Sequence, residues 1–353
     1  MQPLAGPGFE VTYPLRFDVF ADGLWITLAA GSHADLADAH VVAIDGVSVP
    51  EAIAALSPTI SADNPMWTLY LVPACLRVPG DLAAAGLGRG PDAPLHLAVV
   101  DAGGRAREVD VRAEREDAAE AWASAPAIAT RPEPLTRSLP GTFAWADLHD
   151  SDGTVFVRIR TIMGEPGRSF AASVAPLFAH ADSSGCRRMV LDLRGDGGGN
   201  NYLVQPLLHA VLRRPAIDRE GGLFVIVDRG TFSAAVSLAA DLQRETHALF
   251  VGEPAGSGPN SPVDPVAVTL PSSGIVVRLS SVFWQLSDPR DPRTFIAPDL
   301  PVMPSWSDER EHRDRALEAI ETWRPPATPD DTPPNEHWGS PAQLHAKLPS
   351  IAW

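Results

Sequence analysis

Short, continuous apolar runs alternate with longer amphipathic segments between residues 142 and about 323. The apolar runs predict buried strands at 155–159, 189–193, 223–227 and 248–251. The amphipathic segments predict helices at 169–181, 202–213 and 233–244. Strands that are apolar throughout are typical of parallel sheets that helices cover on both faces. This part of the chain is therefore predicted to fold as an α/β domain around a mostly parallel sheet.

The composition argues against several classes of partner. With 353 residues, of which 45% are hydrophobic and 20% charged, the chain is long enough for two domains with proper cores. Its formal net charge of −16 argues against nucleic acid and against a membrane, because the basic patch that such binding needs is missing. No window approaches the roughly 18 apolar residues of a membrane-spanning helix. The composition is that of an ordinary soluble globular protein.

Neither a metal nor a cofactor is predicted, because the residues that would hold one are missing from the sequence. The two cysteines, Cys75 and Cys186, are far apart and form no CxxC pair, and there is no HExxH segment. The N-terminus lacks a basic stretch followed by an apolar run, so no signal peptide is visible. These features predict a cytoplasmic protein, or an extracytoplasmic one if the sequence is a trimmed form.

Residues 1–115 are predicted to form a small, β-rich N-terminal domain with an insert at 57–93. A strand-like run occurs at 23–30, and residues 94–113 indicate a hairpin. The segment HVVAIDGVSVPEAIAAL (40–56) places a strand, an Asp-Gly turn and a helix in sequence, which resembles a PDZ-like module. Such modules bind an extended peptide by adding a strand to an exposed sheet edge. A degenerate module that serves only for packing is the alternative.

Two proline-rich stretches predict the remaining boundaries. Residues 116–141 indicate a linker that begins with a short, alanine-rich helix. Residues 325–353 indicate an irregular tail. The α/β core is therefore predicted to span residues 142–324.

Ser233 is the first candidate for a catalytic residue. It follows a predicted strand and the turn 228–232, and it opens a predicted helix. Backbone N–H groups and the positive end of the helix would surround its hydroxyl, which favours developing negative charge there. The alternative is a plain N-cap, because serine is among the commonest residues at the start of a helix. Position alone favours the cap.

A glycine loop follows the strand predicted at 189–193. Its sequence is Gly-Asp-Gly-Gly-Gly (195–199), and consecutive glycines allow backbone N–H groups to approach a ligand without interference from side chains. The spacing is not that of a dinucleotide-binding loop, since Asn200 takes the place of the last glycine, and no lysine follows to make a phosphate-binding loop. A tight turn without function is the remaining alternative. Three charged residues near the two loops are predicted to brace them: Asp192, Asp228 and Arg229.

Five blocks of sequence, in this order, resemble the C-terminal-processing and tricorn-type serine peptidases of family S41: MVLDLRGDGGGN (189–200), TFSAA (231–235), VGEPAGSGPN (251–260), LPSSGIVVRLS (270–280) and FIAPDLPV (295–302). The resemblance implies a ClpP/crotonase-like fold and an acyl-enzyme mechanism on peptides, with Ser233 as the nucleophile. It also implies an oxyanion hole made by the N–H groups of Gly197 or Gly198 and of Ala234. Asp196 stands where the family usually has asparagine, which puts a carboxyl group near the site.

A serine nucleophile needs a general base, and the family's usual bases are missing here. The only lysine in the chain is Lys347, and the positions at which processing peptidases carry lysine and glutamine are Gly258 and Pro262. The tricorn-type alternative uses a histidine on the first core strand. This chain has Arg158 there, which is permanently charged and cannot accept a proton. A serine–lysine dyad of the usual kind is therefore excluded.

Three histidines remain as candidates for the base: His149, His209 and His247. His149 is the first choice, because it lies just before the first core strand, which should run beside the site. Each of the three, taken singly, is more typical of an ordinary surface or core histidine. Glu253 is predicted to orient a base or to contact the substrate.

Three functions remain open from the sequence. The first is a serine-type peptidase that cleaves a peptide or protein substrate through an acyl-enzyme on Ser233. The second is a catalytically inactive relative that binds peptides or a protein partner, which the missing base favours. The third is an acyl-transfer reaction on the related crotonase fold, although nothing indicates a nucleotide pocket. The first is preferred, and the oligomeric state stays open, a homo-oligomer included.

Overall fold

The computed structural model describes residues 11–88, 90, 92–115, 122–125, 128, 131–149, 153–325, 346 and 348–351. These residues form two compact units. The first unit takes the described chain as far as Arg131, together with Pro304–Arg313 and the end from Ser350. The second unit takes Pro132–Met303 and Asp314–Pro349. No helix in the described part of the chain is long and apolar enough to cross a membrane.

The first unit is built around an antiparallel sheet. Its elements in chain order are β1 (Val11–Thr12), β2 (Leu15–Phe20), β3 (Gly23–Ala30), β4 (Ala39–Ile44), β5 (Val47–Ser48), α1 (Val49–Leu56), α2 (Pro65–Cys75), α3 (Pro79–Ala84), β6 (Leu95–Val100), β7 (Ala106–Val111), β8 (Glu114–Arg115) and β9 (Trp122–Ser124). The main path of the sheet is β2-β3-β4-β6-β7, with β5 beside β4 and β9 beside β3. Alternate residues of β6 are buried, so one face of the sheet covers the core of this unit.

Two predictions for this unit are confirmed. The hairpin predicted at 94–113 is formed by β6 and β7, which pair from Leu95↔Val111 to Val100↔Ala106. The strand, turn and helix predicted at 40–56 are formed by β4, β5 and α1. The assignment of the unit as PDZ-like stays a prediction.

Part of the predicted linker is a strand. The sequence placed Trp122–Ser124 in the linker, but these residues form β9 and pair with Leu28–Ala30 of β3. The guanidinium groups of Arg16 and Arg77 lie 5.0 and 5.8 Å from the centre of the Trp122 ring. The alanine-rich helix predicted at the start of the linker is wrong for these residues, because long-range pairing determines their conformation. The rest of that predicted helix, 116–121, lies outside the described residues.

The second unit is an α/β domain. Its elements in chain order are α4 (Leu135–Ser138), β10 (Phe143–His149), β11 (Thr154–Ile159), α5 (Phe170–Ser184), β12 (Arg188–Asp192), α6 (Gln205–Leu212), β13 (Leu223–Val227), α7 (Ala234–Glu245), β14 (Leu249–Gly252), β15 (Asn260–Thr269), β16 (Val276–Gln285), β17 (Leu300–Pro301) and, after α8 (Trp306–Arg310) of the first unit, α9 (Arg315–Thr322). The main sheet is ordered β10-β11-β12-β13-β14-β17 in the described residues. β10 is antiparallel to β11, and the other neighbours are parallel. β15 and β16 form a separate antiparallel hairpin.

The predicted core of this unit is confirmed. The four predicted strands are β11 to β14, the three predicted helices are α5 to α7, and the observed bounds differ from the predicted ones by at most three residues. The mostly parallel sheet is confirmed with them, while the ClpP/crotonase-like assignment stays a prediction. Because parallel strands all end at one edge, the loops that follow β12 and β13 meet at the carboxyl edge of the sheet.

Both faces of this sheet are buried, which explains why its strands are apolar throughout. Val157 and Leu191 belong to the core that α5, α6 and α7 share with one face. Phe156 and Val190, the neighbouring residues, belong to the core that α9 shares with the other face. Successive residues of a strand point to opposite faces, so helices on both sides bury every position.

The segment Pro304–Arg313 packs into the first unit through Trp306. The ring of Trp306 lies 5.1 Å from that of Phe20 and 6.0 Å from that of Trp25. Its Nε1–H donates to a carboxylate oxygen of Asp38. A tryptophan ring with both a ring contact and a hydrogen-bond acceptor is a strong anchor for so short a segment.

Arg194 forms ion pairs with two buried carboxylates at the carboxyl edge of the main sheet. Its Nη2 lies 2.7 Å from Asp192 Oδ2 and 2.8 Å from Asp314 Oδ2. The Asp192 side chain is fully buried, and Asp314 also caps α9 by accepting the Leu317 N–H. Burial alone would raise the pKa of Asp314, but the charge and hydrogen bonds of Arg194 outweigh burial, and the pKa is lowered. The bracing role predicted for Asp192 is confirmed.

Replacing Arg194 with methionine should strongly destabilise the second unit. The change leaves two carboxylates buried without their cation, and breaking a buried pair in this way typically costs ~3–5 kcal/mol. We expect the free energy of unfolding, measured by urea titration at neutral pH, to fall by this amount.

Arg290→Met is the matched control. Arg290 binds Asp288 as Arg194 binds Asp192, two residues apart with Nε on Oδ1 and Nη2 on Oδ2, but the Arg290 side chain is 85% exposed. An exposed pair contributes at most about 1 kcal/mol. Equal losses in the two variants would contradict the argument from burial.

Candidate active site

Ser233 lies at the sharp turn between β13 and α7. Its backbone has φ 53° and ψ −124°, a combination that residues other than glycine rarely adopt. It occupies the N-cap position of α7, yet its side chain makes no capping hydrogen bond. A capping serine would accept an N–H from the first turn of the helix. The plain N-cap interpretation therefore does not describe Ser233.

The turn before Ser233 is hydrogen-bonded to the glycine loop. The Phe232 N–H donates to the Asp196 carbonyl at 2.9 Å. In the opposite direction, the Gly195 N–H donates to Asp228 Oδ1, also at 2.9 Å. These bonds connect the loops that follow β12 and β13, and they confirm the bracing role predicted for Asp228.

Gly198 lies close against the turn that carries Ser233. Its φ of +105° is in the region that favours glycine. A Cβ on Gly198 would lie 2.6 Å from Ser233 Cβ and 2.9 Å from the Phe232 carbonyl oxygen. No larger residue fits here unless the turn that carries Ser233 moves. Gly197 differs, because a Cβ there would meet nothing within 4 Å.

The carboxyl group of Asp196 is completely buried between these loops. Its Oδ1 accepts the Gly198 N–H at 2.8 Å, and its Oδ2 has no hydrogen-bond partner among the described residues. Burial raises the pKa of Asp196 to about 8; the Gly198 hydrogen bond acts in the opposite direction, and the nearby Asp228 adds to the rise. At neutral pH the group is therefore mainly protonated.

A cavity of about 210 Å³ lies beside Ser233. Its walls come from the loop after β12 between Gly199 and Tyr202, from Ser233 and the first turn of α7, from Ser257 and Gly258 after β14, and from the hairpin β15–β16. The hairpin contributes Asp264 and Trp284. Neither residue is predicted from the sequence, because both are distant from Ser233 along the chain and carry no motif of their own.

The residues predicted to form an oxyanion hole, Gly197, Gly198 and Ala234, are not part of the lining of this cavity. The Gly198 N–H donates to Asp196 Oδ1 and is therefore not available to a ligand. Ala234 opens α7, where an N–H has no acceptor within the helix. Gly199, which the prediction did not include, does line the cavity with Ser233, and its N–H donates to no other described residue.

The strand register separates His149 from Ser233. β10 is antiparallel to β11, so that Phe143 pairs with Ile159 and His149 pairs with Thr154. Thr154 begins β11, whereas Ser233 follows β13 at the edge where the parallel strands end. At about 3.3 Å per residue, the length of β11 puts His149 about 16 Å from that edge. The backbone does not bring the predicted base to the predicted nucleophile.

The other predicted partners of Ser233 also lie away from the cavity. His209 is an exposed residue of α6, and the exposed His247 contacts Asp218 Oδ1 through its backbone N–H and Nδ1. Glu253 is buried, with its Oε2 3.9 Å from Arg229 Nε. None of these residues is part of the cavity lining.

The backbone leaves no room for a lysine at Gly258, the position at which processing peptidases of family S41 carry theirs. A Cβ on Gly258 would collide with the Arg293 carbonyl oxygen and would lie 2.9 Å from Thr294 Cα. The segment that contains Arg293 would have to move before any side chain could be placed there. The path of the backbone therefore excludes a lysine side chain at this position, in agreement with the glycine in the sequence.

Comparison with known proteins supports the fold. No protein-family model and no curated protein matches the sequence. Among solved structures, mature CPAF has a TM-score of 0.57 at 14% identity, covering 88% of this chain and 81% of CPAF. Mature CPAF complexed with lactacystin has a TM-score of 0.57 at 14% identity, covering 88% of this chain and 82% of that one. The photosystem II D1 C-terminal processing protease has a TM-score of 0.34 at 15% identity, covering 84% of this chain and 74% of the protease. CPAF, whose TM-score exceeds 0.5, is an S41-type serine peptidase, so the resemblance seen in the sequence is confirmed for the fold.

Replacing Gly198 with alanine should displace the turn that carries Ser233. The new Cβ would overlap Ser233 and Phe232, and the residue would be held at a strained φ, so we expect a loss of about 2–4 kcal/mol in the free energy of unfolding. Gly197→Ala is the control, because that position has open space, and its loss should stay below about 1 kcal/mol. Urea titration of both variants measures the difference. Similar losses at the two positions would show that Gly198 is not in tight contact with the turn.

Replacing Asp196 with asparagine should change how stability depends on pH. The unfolded carboxyl group titrates near pH 4, and the folded one titrates at about pH 8, so the native state holds the extra proton between these values. The stabilisation from this group is complete below about pH 4 and is lost, at up to about 1.4 kcal/mol per pH unit, as the pH rises to 8. D196N keeps an acceptor for Gly198 without the charge. Its stability relative to the unchanged protein should therefore rise with pH.

Urea titrations at several values between pH 4 and pH 8 test this expectation. Glu220→Gln is the control, because it removes a carboxyl group that is exposed rather than buried. A difference for D196N that does not vary with pH would mean that the Asp196 carboxyl titrates normally.

Proposed function

We propose that this chain is a serine hydrolase that acts on peptides, with Ser233 as its nucleophile. The observation that carries the proposal is the strained backbone of Ser233, whose hydroxyl caps no helix and lines a cavity. Serine nucleophiles in other hydrolases occupy such strand-to-helix turns, because the turn exposes Oγ at the edge of the sheet. Backbone strain of ~1–3 kcal/mol at one residue persists only where the surrounding contacts enforce it. Gly198 and the bonds to the glycine loop supply those contacts.

The N–H groups of Gly199 and Ala234 are the oxyanion donors in this proposal. Ala234 directly follows the nucleophile, and its N–H is one of the unsatisfied donors at the start of α7. Gly199 replaces Gly198 in the role that the family resemblance suggested, because the Gly198 N–H is bound to Asp196. Backbone donors placed in advance around the developing negative charge contribute much of the rate enhancement in acyl transfer.

Peptides are the proposed substrates because the structural neighbours are peptidases. One of them, the D1 processing protease, is named for cleaving a protein C-terminus, and another, CPAF, was solved with lactacystin bound. The cavity beside Ser233 is small, and its volume suits one side chain rather than a drug-sized molecule.

The proton of the Ser233 hydroxyl has no nitrogen base to receive it among the residues that line the cavity. The lining contains no lysine and no histidine within the described part of the chain. A serine without a nearby base reacts slowly with amides, because the hydroxyl is a weak nucleophile at its ordinary pKa. We therefore expect covalent reaction with strong electrophiles and slow turnover of peptides.

A binding protein without catalysis is the second candidate function. Two observations favour it: the lining offers no nitrogen base, and the Gly198 N–H is already bound. In this alternative the cavity holds a side chain of a bound peptide, and Ser233 keeps its turn geometry without reacting.

Labelling by a fluorophosphonate separates the two candidates. In this reaction Ser233 Oγ forms a bond to phosphorus, fluoride leaves, and the hydroxyl proton passes to solvent. We expect one label per chain, mapped to Ser233 by mass spectrometry, and no label in S233A. Ser237→Ala is the control, because Ser237 lines the same cavity one turn further along α7 and should not be the site of labelling.

Failure to label a folded protein at high probe concentration would overturn the hydrolase proposal and favour the binding function. Labelling that persists in S233A would place the reactive group elsewhere.

A further inference from the structure

One carboxylate stands in the cavity beside Ser233 without a cation to balance it. Asp264 belongs to the hairpin β15–β16, and it is the one charged side chain among the described residues that line the cavity. The neighbouring basic residue of the hairpin, Arg278, pairs in register with Ala267 and forms no ion pair with Asp264. A substrate that enters the cavity therefore meets a net negative charge.

Asp264 is held in place by its own hairpin. Its Oδ2 accepts the Trp284 Nε1–H at 2.8 Å, and its carbonyl accepts the Ser281 hydroxyl. Its backbone has φ +51°, a conformation in which aspartate and asparagine are enriched. Oδ1 accepts no hydrogen bond from the described residues, so it remains available to a donor on a ligand.

Two aromatic rings lie next to this carboxylate. The rings of Trp284 and Tyr202 meet edge to face with their centres 5.9 Å apart, and both residues line the cavity. Tyr202 is 80% exposed, so its ring is not occupied by packing. Aromatic faces attract cations, and a carboxylate beside them adds a charge-assisted hydrogen bond.

We propose that this cavity is a specificity pocket for a cationic side chain, lysine or arginine, of a bound peptide. The inference rests on the proposed function, since it names the class of peptide that reaches Ser233. Asp264 Oδ1 accepts the hydrogen bonds of the ammonium or guanidinium group, and Tyr202 and Trp284 cover its stem. The net charge of −16 adds long-range attraction for basic peptides.

The test compares three peptidyl diphenyl phosphonate probes, which release phenol when the serine Oγ bonds to phosphorus. They differ only in the side chain next to the phosphorus: arginine, norleucine and glutamate. The rate constant for phosphonylation of Ser233 is measured for each probe in the unchanged protein, in Asp264→Asn and in Glu220→Gln. Glu220→Gln is the control for total charge, because it removes one exposed acid outside the cavity. D264N keeps the side-chain shape and tolerates the same backbone conformation.

We expect the arginine probe to react at least about tenfold faster than the norleucine probe, the range for a hydrogen bond to a charged group. This ratio should fall to near one in D264N and stay unchanged in Glu220→Gln. Added salt should lower the ratio in the unchanged protein. An equal ratio in D264N and the unchanged protein, with Ser233 still labelled, would overturn the pocket while leaving the hydrolase proposal intact.

Equilibrium binding covers the case in which no probe labels Ser233. Fluorescent peptides with a central lysine, norleucine or glutamate are titrated into S233A, with and without Asp264→Asn, and anisotropy is recorded. A preference for lysine that disappears with Asp264→Asn would support the pocket although the hydrolase proposal had failed. Equal binding of the three peptides would overturn the pocket as well.

Discussion

The hydrogen bonds between the glycine loop and the turn before Ser233 are the interaction on which the candidate site depends. Parallel strands bring the two loops to one edge, and the bonds from Phe232 to Asp196, from Gly195 to Asp228 and from the Thr231 hydroxyl to the Leu193 carbonyl hold them in register. Gly198 then packs against Ser233 so closely that a side chain there would overlap it. A serine with φ +53° needs such support, because isolated backbone would relax to an ordinary conformation.

The same arrangement sets the electrostatics of the site. Asp196 supports the loop by accepting the Gly198 N–H, and the burial that this requires keeps its carboxyl group mainly protonated at neutral pH. A neutral carboxyl group places no full negative charge where an oxyanion would form, so the aspartate is compatible with a hydrolase. The consequence is that the Gly198 N–H is occupied, whereas Gly199 is the glycine of this loop that lines the cavity.

The sequence predicted those parts of the molecule that local patterns determine. Apolar runs located β11 to β14, amphipathic spacing located α5 to α7, and the TFSAA block pointed to Ser233. The missed features all depend on contacts between distant residues. The segment from Trp122 to Ser124 is a strand because it pairs with β3 and because two arginines pack on the Trp122 ring. Asp264 lines the cavity because the hairpin folds beside α7. The position of His149 was missed in the same way, since adjacency to a strand does not say which end of the strand faces Ser233.

The backbone at Gly258 argues against catalysis, whereas the backbone at Ser233 argues for it. Replacing the side chain alone could not place a lysine at Gly258, because the Arg293 carbonyl oxygen lies where its Cβ would be. Ser233, in contrast, has a strained backbone, whereas a serine that only caps a helix has an ordinary extended one. Such strain persists only where the surrounding contacts enforce it, and it is concentrated at functional sites. The retained strain is therefore a stronger indication of chemistry at Ser233 than the missing lysine is of inactivity.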